Sequence, residues 1–240
     1  MKGKELYLTL KMQGIRMKEK LTIDKLKAEA KAFCIAESKI KNKSLFGVTD
    51  GKAVGTHIEH KFLEQLNLKY KMTKSSSAKG IDIPAADILT DIKVTSIKQP
   101  QSSCPFRDVK QKIFGLGYNL LVFVYDKIDD PKTKTATLDF VSCSFISKER
   151  TADYTTTYRL REMVKDKANA EDIVAYLNDK NVPADEITLN QLAKQILKTT
   201  PVQGYLTISN ALQWRLQYQR IVMLDKAVQG ISKIIDNVSK

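Results

Sequence analysis

GIDIPAADILTDIKVTS, residues Gly80–Ser96, holds two short apolar runs with a carboxylate in each. Ile81-Asp82-Ile83 comes first, and Asp91-Ile92-Lys93-Val94 follows after Pro84 and two alanines. Alternation with a period of two is the pattern of strands, and the connection is short enough for the two to pair as a hairpin. In that pairing Asp82 and Asp91 stand nearly opposite each other, and Asp91 and Lys93 project from one face. Two acids and a lysine converging at the end of a sheet make a hard, oxygen-rich site with a cation beside it. That chemistry suits Mg²⁺.

Upstream, Ile58, Phe62, Leu63 and Leu66 predict an amphipathic helix from Gly55, followed by a strand at Leu68–Met72 and a polar loop, Thr73–Lys79. Thr22 is placed to cap an earlier helix that carries Ile23, Leu26, Ala30, Phe33 and Cys34 and ends near Asn42. Leu6, Leu8 and Leu10 alternate in an N-terminal arm. Downstream, Ile97–Pro105 reads as a Gln/Ser/Pro loop and Phe106–Gly115 as a helix. Leu120–Tyr125, a continuous apolar run, reads as a buried strand, Asp129-Asp130-Pro131 as a turn and Ala136–Ile146 as a further strand. Beyond Arg150 the pattern turns helical, at Tyr158–Lys165, Ala170–Asn178 and Thr188–Leu197, the last capped by Asp185 or Thr188. After a break at Pro201–Gly204, Ile208–Val238 reads as largely helical. The expected organisation is a core over residues 1–150 and a helical elaboration over 151–240.

The chain has 240 residues, 40 of them Lys or Arg against 27 Asp or Glu, for a formal charge of +13. A protein this basic meets a polyanion, nucleic acid first, although a general preference for lysine offers a plainer account. On the first reading, Lys74, Ser76 and Lys79 in the polar loop are candidate phosphate contacts. Lys98, Gln99, Gln101 and Ser102 are candidates for a groove, where amides both donate and accept. Arg107, Lys110 and Lys112 of the next helix are further phosphate candidates. Arg215 and Arg220, near Tyr218, either face phosphates or lie on an ordinary solvated face. Cys34, Cys104 and Cys143 make neither a disulfide framework nor a CxxC site, and are expected as free thiols in a reducing cytoplasm. No apolar run reaches the length of a membrane span. His57 and His60 lack a third zinc ligand.

Asp82 followed by Asp91-Ile92-Lys93 resembles the PD-(D/E)xK nuclease signature, with Ile81 where the signature has proline. Gly55-Thr56-His57-Ile58-Glu59 is similar to that superfamily's pattern of glycine, two residues, an apolar residue and glutamate on the helix before the first core strand. The alternative for Glu59 is an ordinary helix glutamate paired with Lys61 or a neighbour. Helix, strand, strand, strand, helix, strand, strand over residues 53–146 is the order of the superfamily's catalytic core. Asp91–Ser96 with its polar loop and helix resembles the blunt-cutting type II restriction endonucleases of the EcoRV/HincII-like branch, and Gln219–Lys226 is similar to a C-terminal helix there.

The resemblance implies an α/β fold with a PD-(D/E)xK restriction-endonuclease-like core, a mixed central sheet flanked by helices, with the helical elaboration serving DNA recognition or dimerisation. It implies Mg²⁺-dependent, sequence-specific hydrolysis of double-stranded DNA to 5′-phosphates, with Mn²⁺ able to substitute. It further implies a homodimer, each subunit cutting one strand, and a cognate DNA methyltransferase. Asp82, Asp91 and the Ile92 carbonyl would hold the metal, Glu59 would serve a second one, and Lys93 would orient the water or stabilise developing charge. A repair or structure-selective nuclease of the same superfamily, or a non-enzymatic basic DNA-binding protein, are the competing readings.

Overall fold

In the computed structural model, which describes residues 18–72, 80–104, 108–209 and 214–238, a two-residue strand, β1 (Glu19–Lys20), leads into α1 (Ile23–Glu37). The Thr22 hydroxyl caps α1 by accepting from the Lys25 N–H. The helix stops at Glu37, short of the expected Asn42. Asn42 is extended instead, exchanging backbone hydrogen bonds of 2.8 and 2.9 Å with Ala136. α2 (Gly51–Lys69) begins ahead of Gly55 because the Asp50 carboxylate accepts from the Lys52 N–H. It continues through the stretch expected as a strand. Leu68 is exposed, and only β2 (Tyr70–Lys71) is extended, pairing in parallel with β1. The Leu6–Leu10 arm and the Thr73–Lys79 loop lie outside the described residues.

The next elements are β3 (Thr90–Ser96), β4 (Gln101–Cys104), α3 (Lys110–Phe114), β5 (Asn119–Asp130) and β6 (Thr135–Ile146). After them come α4 (Tyr154–Lys165), α5 (Ala170–Asp179), α6 (Glu186–Lys198), β7 (Thr207–Ile208), β8 (Trp214–Gln217), α7 (Gln219–Val222) and β9 (Ile231–Asp236). A mixed sheet runs β3-β5-β6-β9, with β3 parallel to β5 and the other pairs antiparallel. A second, antiparallel sheet runs β4-β8-β7.

β5 explains the layering. Its apolar run is continuous because it is covered on both faces. Leu121, Phe123 and Tyr125 join Leu26, Phe33, Ile58, Phe62 and Phe140 beneath α1 and α2. Leu120, Val122 and Val124 join Leu206, Ile208, Leu216, Tyr218 and Ile221 on the side of the second sheet. Phe33, Phe62, Phe123 and Phe140 interlock tilted or edge to face, with neighbouring centroids 5.1–6.1 Å apart, and each such ring adds roughly 1.5–3 kcal/mol by leaving water. A third cluster holds α4, α5 and α6 together with Ile113 of α3.

Three further expectations are corrected. The acid hairpin shrinks to a single bridge, Ile83 opposite Thr90, because a turn at residues 86–88 separates the two runs. The Gln/Ser segment expected as a loop contains β4, drawn into strand form by antiparallel pairing with β8. The described part of Ile208–Val238 holds more strand than helix, with β8 and β9 on either side of the short α7. Leu216 and Tyr218 are buried while Arg215 and Gln217 are exposed, a period of two, and Gly230 at φ +88° turns the chain into β9. The helices expected at 158–165, 170–178 and 188–197 are present, with Asp185 capping α6 through the Thr188 N–H.

Candidate active site

β3 is an edge strand, and its parallel register sets Asp91 beside Leu120 and Lys93 beside Val122. Alternation therefore turns Asp91 and Lys93 toward the second core, while Ile92 enters the first. The N–H of Ile92, on the strand's open edge, donates to Asp82 Oδ2 at 2.7 Å. The carbonyl of a strand residue lies on the same side as its N–H, so Ile92 presents its oxygen to the same edge. α2 crosses β3 closely at Gly55, where a Cβ would lie 3.5 Å from the Val94 carbonyl oxygen. That approach brings Glu59, one turn further along α2, to the acids.

Asp82, Asp91, Lys93 and Glu59, separated by up to 34 positions in the sequence, thus form one cluster. Lys93 Nζ pairs with Asp91 Oδ2 at 2.7 Å. Asp91 is hydrogen-bonded to Asp82, and Asp82 to Glu59. Burial raises the pKa of all three acids. Asp91 feels it most and is pushed up to about 7, the Lys93 ammonium offsetting part of the effect and the contact with Asp82 adding to it. Burial opposes the charge on Lys93, but the Asp91 and Asp82 carboxylates outweigh it and hold the ammonium above its ordinary range.

Carboxyl groups in contact must share protons, so the acids form a line, Glu59–Asp82–Asp91. Among the described residues no three acidic, histidine or cysteine side chains already surround one point as metal ligands would. The chemistry of the donor set nonetheless fits a hard divalent cation: three carboxylates and the Ile92 carbonyl, all oxygen, at an open edge. A cation there would take the place of the shared protons and relieve the repulsion among the acids.

A polar layer behind the cluster escaped the sequence reading. Cys104 Sγ lies 3.6 Å from Tyr118 Oη, and Ser102 Oγ lies 2.6 Å from Tyr218 Oη. Burial lifts both phenols well above their ordinary range, and the Asp91 charge adds to it. Tyr118 was traceable, since it stands two residues before Leu120 and alternation puts it on Asp91's side of the sheet. Cys104 and Tyr218 depend on the β4–β8 pairing, which has no local signal.

Among the candidate DNA contacts, Lys98, Gln99 and Lys110 are exposed, and Gln101 is half-buried opposite Gln217. The Ser102 hydroxyl is engaged by Tyr218. Lys112 is a correction. It is 4% exposed and donates to the Ile208 carbonyl at 2.7 Å, out of reach of a phosphate, because α3 packs that side inward. Lys74, Ser76, Lys79 and Arg107 lie outside the described residues. Lys61 pairs with Glu37 at 2.6 Å, which leaves Glu59 to the acids.

An acid–acid–lysine cluster on the edge of a mixed sheet, in a chain of net charge +13, is the donor set that an enzyme acting on a phosphate backbone would use. The family model for the type II restriction enzyme NspV matches residues 20–233. A type II restriction enzyme NspV from Nostoc sp. is 50% identical over 217 residues, covering 90% of this chain and 98% of the relative. The chain belongs to this family of type II restriction enzymes. No solved structure matches it. No helix among the described residues is long and apolar enough to cross a membrane.

Proposed function

We propose that the protein is a Mg²⁺-dependent endonuclease that hydrolyses both strands of duplex DNA at a specific sequence, leaving 5′-phosphates, through a PD-(D/E)xK site. The observation that supports this best is the meeting of Glu59, Asp82, Asp91 and Lys93 from α2, the run before the 86–88 turn, and β3 itself. Asp82, Asp91 and the Ile92 carbonyl would hold the cation, and Glu59 would complete the set or serve a second ion. Bound Mg²⁺, or Mn²⁺ in its place, supplies charge against the scissile phosphate and makes a water more acidic.

The protein's own groups supply the rest. Asp91 anchors Lys93 at 2.7 Å and keeps its ammonium charged. That positive charge orients the attacking water or stabilises negative charge developing on the phosphoryl oxygens. The apolar wall of Leu120 and Val122 behind it keeps bulk water away and strengthens those interactions. Two strands cut at a twofold-symmetric sequence call for two such sites, so a homodimer is the matching assembly. Residues 151–240 are read as serving recognition and subunit contact. A cognate methyltransferase, protecting the same sites in the bacterial cytoplasm, completes the system.

The test is digestion of plasmid and phage DNA with Mg²⁺ and with EDTA, followed by sequencing of the ends. Discrete Mg²⁺-dependent fragments with 5′-phosphates are expected. A Mg²⁺-dependent smear would overturn the sequence-specific part, and cleavage in EDTA would overturn the metal-dependent part.

A further inference from the structure

Away from the acid cluster, five side chains form a ladder with Tyr154 at its centre. The Arg220 guanidinium carbon lies 3.7 Å from the Tyr154 ring centroid. Tyr158 lies parallel to Tyr154 at 6.2 Å, with planes 6° apart, and Tyr205 meets Tyr154 edge-on at 5.7 Å. Arg150 sits 5.9 Å over Tyr205.

The two arginines differ in what their N–H groups do. Arg150 gives Nε to the Gln229 carbonyl and an Nη to the Gln203 carbonyl, which makes it structural. Arg220 is exposed and makes no hydrogen bond or ion pair with any described residue. The ring restrains the guanidinium, and its donors meet no described residue. Holding the fork against an aromatic face lowers the entropy lost on binding, and the fork's geometry matches two oxygens of a phosphate. Tyr158, at the outer end of the ladder, is 53% exposed.

The position of α7 ties this surface to the acids. Tyr218, its cap residue, donates its N–H to the Pro100 carbonyl at 2.8 Å and reaches Ser102 on β4 through its hydroxyl. β4 is tied in turn to β3, where Thr95 Oγ1 donates to the Gln101 carbonyl at 3.0 Å. Arg220 is therefore anchored, two residues along, to the strand beside the acid cluster.

We propose that Arg220, held over the Tyr154 ring, contacts a backbone phosphate of duplex DNA lying across the acid cluster; this rests on the nuclease reading. With the chain's charge of +13, a guanidinium with no acidic partner among the described residues fits a polyanion better than a second copy of the same basic surface.

The experiment is fluorescence anisotropy of the full-length protein with a labelled duplex in EDTA, across about 50–300 mM KCl, for wild type, Arg220→Ala and Arg220→Lys. Arg220→Ala is expected to weaken binding about five- to twentyfold at low salt and to reduce the slope of log K against log salt by about one. Arg220→Lys keeps the charge and should restore the slope but not the full affinity. Thermal melting of the variants, which change an exposed residue, should match wild type. Wild-type affinity and slope in Arg220→Ala, with wild type itself binding and cutting DNA, would overturn this inference and leave the nuclease intact. Wild type that neither binds nor cuts would remove the nuclease reading, and this with it. A variant that loses dimer in sedimentation with its salt slope unchanged would make the surface a subunit contact and overturn the DNA assignment.

Discussion

Asp91 is 4% exposed and has Lys93 as its cationic partner. Its carboxyl, ordinarily at 3.8, is pushed up to about 7 by burial and the neighbouring acid. A pKa raised on folding means that the folded state binds the extra proton. The associated stability is fully present below the unfolded value near 4 and is lost as pH rises through about 7. Metal-free protein should therefore melt lower at pH 8 than at pH 5.5, with the site contributing on the order of a few kcal/mol. Asp91→Asn should flatten that dependence, and identical pH slopes for the two proteins would refute the burial argument. Mg²⁺, competing with the proton, should raise the melting temperature more at pH 8 than at pH 5.5. In cleavage assays Asp91→Asn and Lys93→Ala should each lose at least about a hundredfold in rate while holding duplex DNA within a few-fold of wild type. Normal cleavage by either would remove it from the site.

Gly55 puts the element-scale argument to the test. A Cβ there would meet the Val94 carbonyl oxygen at 3.5 Å, ordinary contact. Gly55→Ala should thus be tolerated and stabilise α2 by up to about 1 kcal/mol. Gly55→Leu has no room, and should push α2 off β3, lowering both the melting temperature and, by moving Glu59, the cleavage rate. If Gly55→Leu matches Gly55→Ala in both measurements, the close approach does not position the site. The same elements explain what was legible in the sequence. Thr22, Asp185 and the Ile58–Phe62 stripe act within a turn or two, so the helices could be read locally. Asp82, Asp91 and Lys93 could be read because spacing in one short stretch fixed their faces. β9 misled for a physical reason. Ile231, Ile234 and Ile235 stand at helical spacing, but that spacing comes from a bulge. The register shifts between Cys143 and Ser144, so Cys143 faces Ile235 and Ser144 faces Lys233. Ile234 and Ile235 both pack on the first core, and Ile231 on the second. Pairing with a distant strand overrode the local pattern.

At the scale of the whole molecule, β6 and β9 are neighbours in the central sheet, yet α4–α6, β7, β8 and α7 lie between them in the sequence. The change in character at residue 150 invites truncation there, and the structure says what truncation would cost. It removes β9, leaving the backbone of Ser142–Ile146 unpaired along an open edge, which exposes strand edges prone to aggregation. It also removes Leu206, Ile208, Leu216, Tyr218, Ile221 and Val222, all buried against Leu120, Val122 and Val124. At roughly 1.5–3 kcal/mol for each large apolar side chain, the loss is on the order of 10 kcal/mol, comparable to the whole net stability of a typical domain. The wall of Leu120 and Val122 behind Asp91 would lose the layer packed on it and, with Tyr218 gone, β4 would lose its support. A fragment of residues 1–150 is therefore expected to be insoluble or to lack a cooperative melt by circular dichroism, and to show no cleavage even with every acid of the cluster present. A soluble fragment with a sharp transition would mean that the nuclease core folds without its C-terminal strand, and that β9 is an attachment to the sheet rather than part of what forms it.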